Sequence, residues 1–210
     1  MTKPVLLLSG FEPFAGSPIN PSAEVVKQLA MLDLDEVTLH TCILPVAAQT
    51  APQQLCRQLE ALQPDIYLGL GEARGRSALN IEQVGVNELN FRIPDNSGLT
   101  LTDQPIAPDG PPSYPSTFPA PAIRDAIRQR GIPAVLSDSA GRYLCNQILY
   151  TGLHWAATQN PTTLVGFIHL PSLPAQMAAS DEPKPTMALS LQVEGLWAAV
   201  SAMVPRAVVA

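Results

Sequence analysis

Thr163-Leu164-Val165-Gly166-Phe167-Ile168-His169 reads as a strand with no wet face, since every position from Leu164 to Ile168 is apolar or glycine. A strand of this kind belongs to a sheet covered on both sides, and the residues before it supply a cover. Leu144, Ile148, Leu149 and Leu153 recur at helical spacing over Leu144–Gln159, and Ala134–Ser137 ahead of them is again strand-like. The same alternation runs the length of the chain. Val5–Ser9, Val37–Leu44, Asp65–Leu70 and Leu79–Val86 read as further strands, and Pro21–Leu32, Ala48–Leu62, Pro119–Arg130 and Thr186–Val204 as further helices. Asn20 before Pro21 gives the first helix an N-cap and a proline at its first position. The pattern predicts one domain over residues 1–210, a three-layer α/β/α sandwich around a twisted, largely parallel or mixed central sheet.

The strand at Thr163–His169 ends in an imidazole, at the kind of strand terminus where α/β proteins build sites. Cys145 is placed with similar purpose. It follows the loop Ser137-Asp138-Ser139-Ala140-Gly141-Arg142 and opens a helix, where unpaired backbone N–H groups favour thiolate, the form that attacks carbonyls. Each residue alone has a structural reading, as a buried inert thiol or a hydrogen-bonded core histidine. Glu82 strengthens the pair. In Leu79–Val86 strand alternation sets it beside Val84 and Val86 on the apparently buried face, where a carboxylate needs a partner. Cys, His and carboxylate then divide the labour of a nucleophilic triad; the competing reading is an edge-strand glutamate facing water.

Composition narrows the class. The 210 residues are 46% hydrophobic and 14% charged, enough for one buried α/β core. A net charge of −6 and a pI near 4.9 argue against nucleic acid and against anionic membrane surfaces. Val5–Leu8 is too short for a signal segment, and no apolar stretch approaches a membrane span. Cys42, Cys56 and Cys145 form no disulfide framework, which fits a reducing, cytoplasmic compartment. His40 and Cys42 could approach a metal but lack the spacing of a zinc motif and are read as core and strand residues, so no metal and no organic cofactor is expected. Gly69-Leu70-Gly71 has Arg74 where a dinucleotide fingerprint needs its third glycine, and is read as a strand-end turn. Eight prolines between Pro94 and Pro121 oppose helix and predict a long surface loop.

Several segments together resemble the pyroglutamyl peptidase I family of cysteine peptidases, which remove N-terminal pyroglutamate. They are Ser9-Gly10-Phe11-Glu12-Pro13-Phe14-Ala15-Gly16 with Asn20-Pro21-Ser22, Leu44-Pro45-Val46, Gly69-Leu70-Gly71, Ile81-Glu82, Arg92-Ile93-Pro94-Asp95-Asn96, Ser139-Ala140-Gly141-Arg142-Tyr143-Leu144-Cys145-Asn146 and Phe167-Ile168-His169-Leu170-Pro171. The resemblance spans the chain from its first strand to its last helix. It implies Cys145 as nucleophile, His169 as base and Glu82 as the group that orients it. It also implies a ring pocket walled by Phe11, Phe14, Ile93 and Tyr143, with Arg92 near the scissile carbonyl. The partners it implies are peptides with N-terminal pyroglutamate. The apolar C-terminal helix, with Leu189, Val193, Leu196, Trp197 and Val200, packs on the core or on another subunit, and the resemblance favours a homo-oligomer. Two departures stand out: Glu72 and Arg74 replace an amide and a glycine usual in the family, which bears on the pocket wall, and Gln83 replaces an arginine after Glu82, which removes a local charge. An amidase for a different acyl group and a catalytically silent binding protein are the competing functions.

Overall fold

The computed structural model describes residues 3–32 and 34–204. Residues 1–2 and 205–210, included in the expected domain, lie outside the described residues. The elements are β1 (Val5–Phe11), α1 (Pro21–Ala30), β2 (Thr38–Leu44), α2 (Ala51–Leu62), β3 (Ile66–Glu72), β4 (Leu79–Glu82), β5 (Val84–Val86) and β6 (Ser113–Pro115). They continue with α3 (Ala120–Gln129), β7 (Ala134–Ser137), α4 (Leu144–Gln159), β8 (Leu164–Leu170), α5 (Pro174–Met177) and α6 (Leu189–Met203).

Six strands form one sheet in the order β2-β1-β3-β8-β4-β7. The β2, β1, β3 and β8 neighbours pair in parallel, β4 runs antiparallel to β8, and β7 is parallel to β4, so the sheet is mixed. Successive side chains of each central strand feed opposite layers. Leu6, Leu8, Leu68, Leu70, Ile81 and Ile168 pack with Val25 and Leu29 of α1, Ile123 and Ile127 of α3 and Leu196 of α6. Leu7, Tyr67, Val165 and Phe167 pack on the other face with Leu55 and Leu59 of α2 and Ile148, Leu149 and Leu153 of α4. This two-sided demand explains the unbroken apolar runs, and the three-layer arrangement follows from it.

The first helix is capped as its sequence requires. Asn20 Oδ1 accepts hydrogen bonds from the Ser22 amide at 3.0 Å and the Ser22 hydroxyl at 2.8 Å, while Asn20 Nδ2 donates to the Glu12 carbonyl at 3.0 Å. Asn20→Ala should therefore cost about 1–2 kcal/mol of stability, at the upper end for a cap because the side chain is buried and also ties down the loop before it. Thermal denaturation checks this; an unchanged Tm would mean the loop is held elsewhere.

Several expectations need correction. Leu79–Val86 is not one strand: the chain leaves the sheet at Gln83, and β5 pairs instead with β6 in a separate two-stranded sheet lying on α4. Gly85 makes that seat possible, since a Cβ there would stand 3.2 Å from the Tyr150 backbone. Glu82 is buried, but because both faces of β4 are covered; Val84 and Val86, its supposed companions, are only half-buried. The proline-dense stretch is not all loop, for it contributes β6 and the first turn of α3. Gly69 and Gly71 lie inside β3 rather than in a turn at its end. Finally, His40 is exposed on the edge strand β2, not part of the core.

The final helix begins at Leu189 rather than near Thr186, because Thr186 bridges to Ser172 and the Met187 amide donates to the Ser172 carbonyl at 3.0 Å. α6 packs on α1 and α3. Among the described residues no helix is long and apolar enough to cross a membrane.

Candidate active site

The register of β4 against β8 places Glu82 and His169 together. Asn80 faces His169, Ile81 faces Ile168 and Glu82 faces Phe167. Because Ile81 and Ile168 point to the α1/α3/α6 layer, Glu82 and His169 both point to the opposite one, as diagonal neighbours across an antiparallel pair. Their side chains meet: His169 Nδ1 and Glu82 Oε1 are 2.7 Å apart. Glu82 is fully buried and its Oε2 has no hydrogen-bond partner among the described residues, so the imidazole is the main compensation for its charge.

Cys145 reaches the same spot from α4. It is the second residue of that helix, after an extended Tyr143 (φ −114°, ψ −162°) whose side chain makes no capping bond. The first amides of α4 therefore stay available at the sulfur, with the helix's positive end behind them. Gly141, at φ 78°, turns the loop into the helix, and Ser139 Oγ accepts from its amide at 3.2 Å. The buried Asn146 then pins the first turn, accepting from the Val86 amide at 2.9 Å and donating to the carbonyls of Val86 and Glu88 at 2.9 and 3.0 Å.

Two glycines give the sulfur and its neighbours room. A Cβ on Gly71 would stand 2.7 Å from Cys145 Sγ and 2.9 Å from the Phe167 ring, and one on Gly69 would stand 2.5 Å from the same ring. Phe167 in turn meets the His169 ring edge-on, with centroids 5.0 Å apart. The electrostatics follow from this crowding. Burial by itself disfavours the imidazolium of His169, but the adjacent Cys145 sulfur, and after it Glu82, outweigh that penalty and push the imidazole pKa up to about 9. The arrangement thus stores a proton on His169 between a sulfur and a carboxylate.

A small cavity opens beside Cys145, lined by Phe11, Phe14, Asn20, Val46, Glu72, Tyr143, Leu144 and Cys145. Phe14 and Tyr143 approach at 5.7 Å between centroids, and Tyr143 packs edge-on to Phe91 at 4.5 Å. The Tyr143 hydroxyl donates to the Pro94 carbonyl at 3.2 Å, and burial pushes its pKa up to about 12, so it stays a neutral phenol. Asp95 and Glu12 anchor the loops around the cavity, accepting from the amides of Ala48 and Val46 respectively.

Of the residues singled out in the sequence, Cys145, His169 and Glu82 come together, and Phe11, Phe14 and Tyr143 line the cavity next to them. Arg92 and Ile93 do not line it; both are exposed, on the segment between the buried Phe91 and Asp95. Asn20, Val46 and Leu144 line the cavity without having been foreseen there. All three stood in the quoted segments, but as a helix cap, an unexplained valine and an apolar helix position.

This geometry agrees with what the chain is similar to. The family described as pyroglutamyl peptidase matches residues 4–206. The chain belongs to that family. Among relatives, the pyrrolidone-carboxylate peptidase of Pyrococcus furiosus is 39% identical over 93% of this chain and 95% of its own length, and that of Vibrio vulnificus 44% identical over 91% and 88%. The pyrrolidone carboxyl peptidase structure from Thermococcus litoralis superposes with a TM-score of 0.92 at 34% identity, covering 95% of this chain and 93% of the other. Family membership makes the protein a cysteine peptidase acting at N-terminal pyroglutamate, and the six-stranded mixed sheet is a pyroglutamyl peptidase fold.

Proposed function

We propose that Cys145, His169 and Glu82 are the working triad of this pyroglutamyl peptidase and that the cavity beside them holds the pyroglutamyl ring. The observation that carries the reading is the convergence, from three separate elements, of an uncapped helix-terminal thiol, a buried imidazole and a buried carboxylate beside a cavity walled by Phe11, Phe14 and Tyr143. The Cys145 sulfur, its proton passed to His169, attacks the carbonyl joining pyroglutamate to the next residue. The amides at the start of α4 stabilise the tetrahedral oxyanion. His169 returns its proton to the leaving amine, and water, deprotonated by the same imidazole, releases pyroglutamate from the thioester. Glu82 fixes the ring through Nδ1, leaving Nε2 for the proton transfers. Arg92 and Ile93 would meet the substrate from the rim, outside the cavity. This chemistry asks nothing of a metal or an organic cofactor.

The same reading extends to surroundings. Three free cysteines favour a reducing, cytoplasmic setting. The exposed Met31 and Leu32 at the end of α1 and Leu191 on α6 favour a homo-oligomer.

Hydrolysis of a pyroglutamyl chromogenic amide, against prolyl and glutaminyl amides of the same leaving group, tests the function. Aromatic walls cover a flat neutral lactam well, whereas a protonated amine placed there would lose water for no counter-charge. Turnover of the prolyl amide at a comparable kcat/KM would sink the lactam assignment. The pH profile gives a second test. His169 with a raised pKa holds its proton below about 9 and loses it above, so kcat/KM should fall as pH rises through about 9. Glu82→Gln removes one of the influences that raise this value and should move the alkaline limb to lower pH, with some activity retained; a limb that stays in place would show that Glu82 does not act on the imidazole.

A further inference from the structure

Arg76 is half-buried, yet among the described residues no carboxylate pairs with its guanidinium. Arg74 and Arg142 differ in this respect, meeting Glu72 and Glu88. One contact holds the Arg76 side chain. With the Asn80 amide oriented so that both its ends are satisfied, Asn80 Oδ1 accepts from Arg76 Nη1 at 2.8 Å while Asn80 Nδ2 donates to the Ala78 carbonyl at 2.9 Å. A guanidinium carries five N–H donors, so the others are left to solvent or a ligand. The register fixes where this cation lies. Asn80 stands directly across the β4/β8 pair from His169, about 5 Å away at Cβ. Leu79 and Ile81 point to the α1/α3/α6 layer, so alternation turns Asn80 to the side of His169 and Glu82. Because β4 is antiparallel to β8, the segment carrying Arg76 enters β4 at the end of the sheet where β8 delivers His169.

We propose that Arg76 forms a carboxylate-binding subsite for the leaving part of the substrate, recognising an anionic group on the residue that follows pyroglutamate. The inference rests on the triad and ring-cavity reading given above. Sheet order supplies the direction. The cavity takes Phe11 from β1, Cys145 stands over Gly71 of β3, His169 is on β8 and Asn80 is on β4, the next strand along. With the ring on the β1 side of the sulfur and the leaving nitrogen at His169, the following residue is carried on toward β4. A residue spans at most about 3.6 Å, so its α-carboxylate or an acidic side chain comes within reach of a guanidinium held one strand beyond the imidazole. Asn80 occupies one donor and orients the group, and the remaining N–H groups match a carboxylate, which replaces water with charge-assisted hydrogen bonds.

The test compares kcat/KM within two pairs of substrates: pyroglutamyl-glutamate amide against pyroglutamyl-glutamine amide, and pyroglutamyl-alanine against its amide. Wild type should prefer the acidic member of at least one pair by roughly 5- to 30-fold, the range of a hydrogen bond to a charged group partly screened by solvent. The pair that shows it identifies the carboxylate as side-chain or terminal. Arg76→Gln should lower that ratio at least about threefold, and Arg76→Lys should retain part of it, as a point charge without the fork. Reading the change between wild type and variant cancels the differing basicity of the leaving amines in the alanine pair. Because one population of folded molecules turns over both members of a pair, the ratio is unaffected by how much of a variant folds. Should neither variant be assayable, about 0.5 M NaCl should lower the wild-type ratio at least about twofold while the neutral member's kcat/KM changes less. Absence of an acidic preference from both pairs, a preference that survives intact in Arg76→Gln, or a ratio indifferent to salt overturns the proposal while leaving the peptidase reading in place. Failure of wild type to cleave any of these pyroglutamyl substrates would overturn both.

Discussion

Cys145→Ser is expected to abolish hydrolysis of a pyroglutamyl amide, by at least about 10⁴-fold in kcat, because a hydroxyl does not ionise at the start of α4 as a thiol can and the first chemical step stops. The sulfur is half-buried at a helix end, with its surroundings shaped by Gly71 and Phe167, so the smaller oxygen fits and circular dichroism should be unchanged. His169→Ala should be as damaging to turnover, with a second consequence that separates the two. It leaves the fully buried Glu82 without its imidazole, a loss of the kind that costs about 3–5 kcal/mol, so Tm should drop for this variant and not for Cys145→Ser. Near-wild-type turnover by Cys145→Ser, in a preparation free of other peptidases, would remove the thiol from the mechanism.

Gly71→Ala should also be severely impaired. The added methyl would stand 2.7 Å from Cys145 Sγ and 2.9 Å from Phe167, and neither neighbour is a flexible chain end that can swing aside. The sulfur must move relative to His169, and a displacement approaching 1 Å is enough to lose on the order of 10²-fold in rate. The expected signature is a fall in kcat with the reactivity of Cys145 toward an alkylating reagent altered in parallel. If kcat and alkylation rate are both unchanged, the cleft beside β3 is looser than its contacts indicate.

The grouping of Cys145, His169 and Glu82 was legible because each stands at a meaningful place in an apolar pattern: Cys145 where a helix opens, His169 where a buried strand ends, Glu82 beside Ile81 in a strand-like run. The layer order was legible for the same reason, since two-sided strands such as β8 leave no other architecture. What stayed hidden depends on residues far apart in the chain. Gly69 and Gly71 were read as a turn by local rules, yet they are glycines because Phe167 and Cys145 need the space. The break at Gln83 went unread although the apolar positions change phase there, from Leu79 and Ile81 to Val84 and Val86; the pairing of β5 with β6 then takes the chain out of the sheet. Likewise β6 sits among prolines that argue against a strand, tolerated because it is a three-residue edge. Arg92 and Ile93 came from resemblance alone, and no local pattern could say whether an exposed loop residue lines a cavity.

The reversal of β4 against β8 has a bearing on how this chain can change over evolutionary time. The partnership of Glu82 with His169 is written into strand pairing rather than into a loop, so its spacing cannot drift residue by residue. Gain or loss of a single residue between Leu79 and Glu82 would turn the carboxylate to the α1/α3/α6 side and exchange it with an apolar neighbour, destroying site and core at once. The stretch from Gly98 to Pro112, which lies outside the six-stranded sheet, is under no such constraint. Length variation among descendants of this sequence should therefore collect in that stretch and stop short at β4.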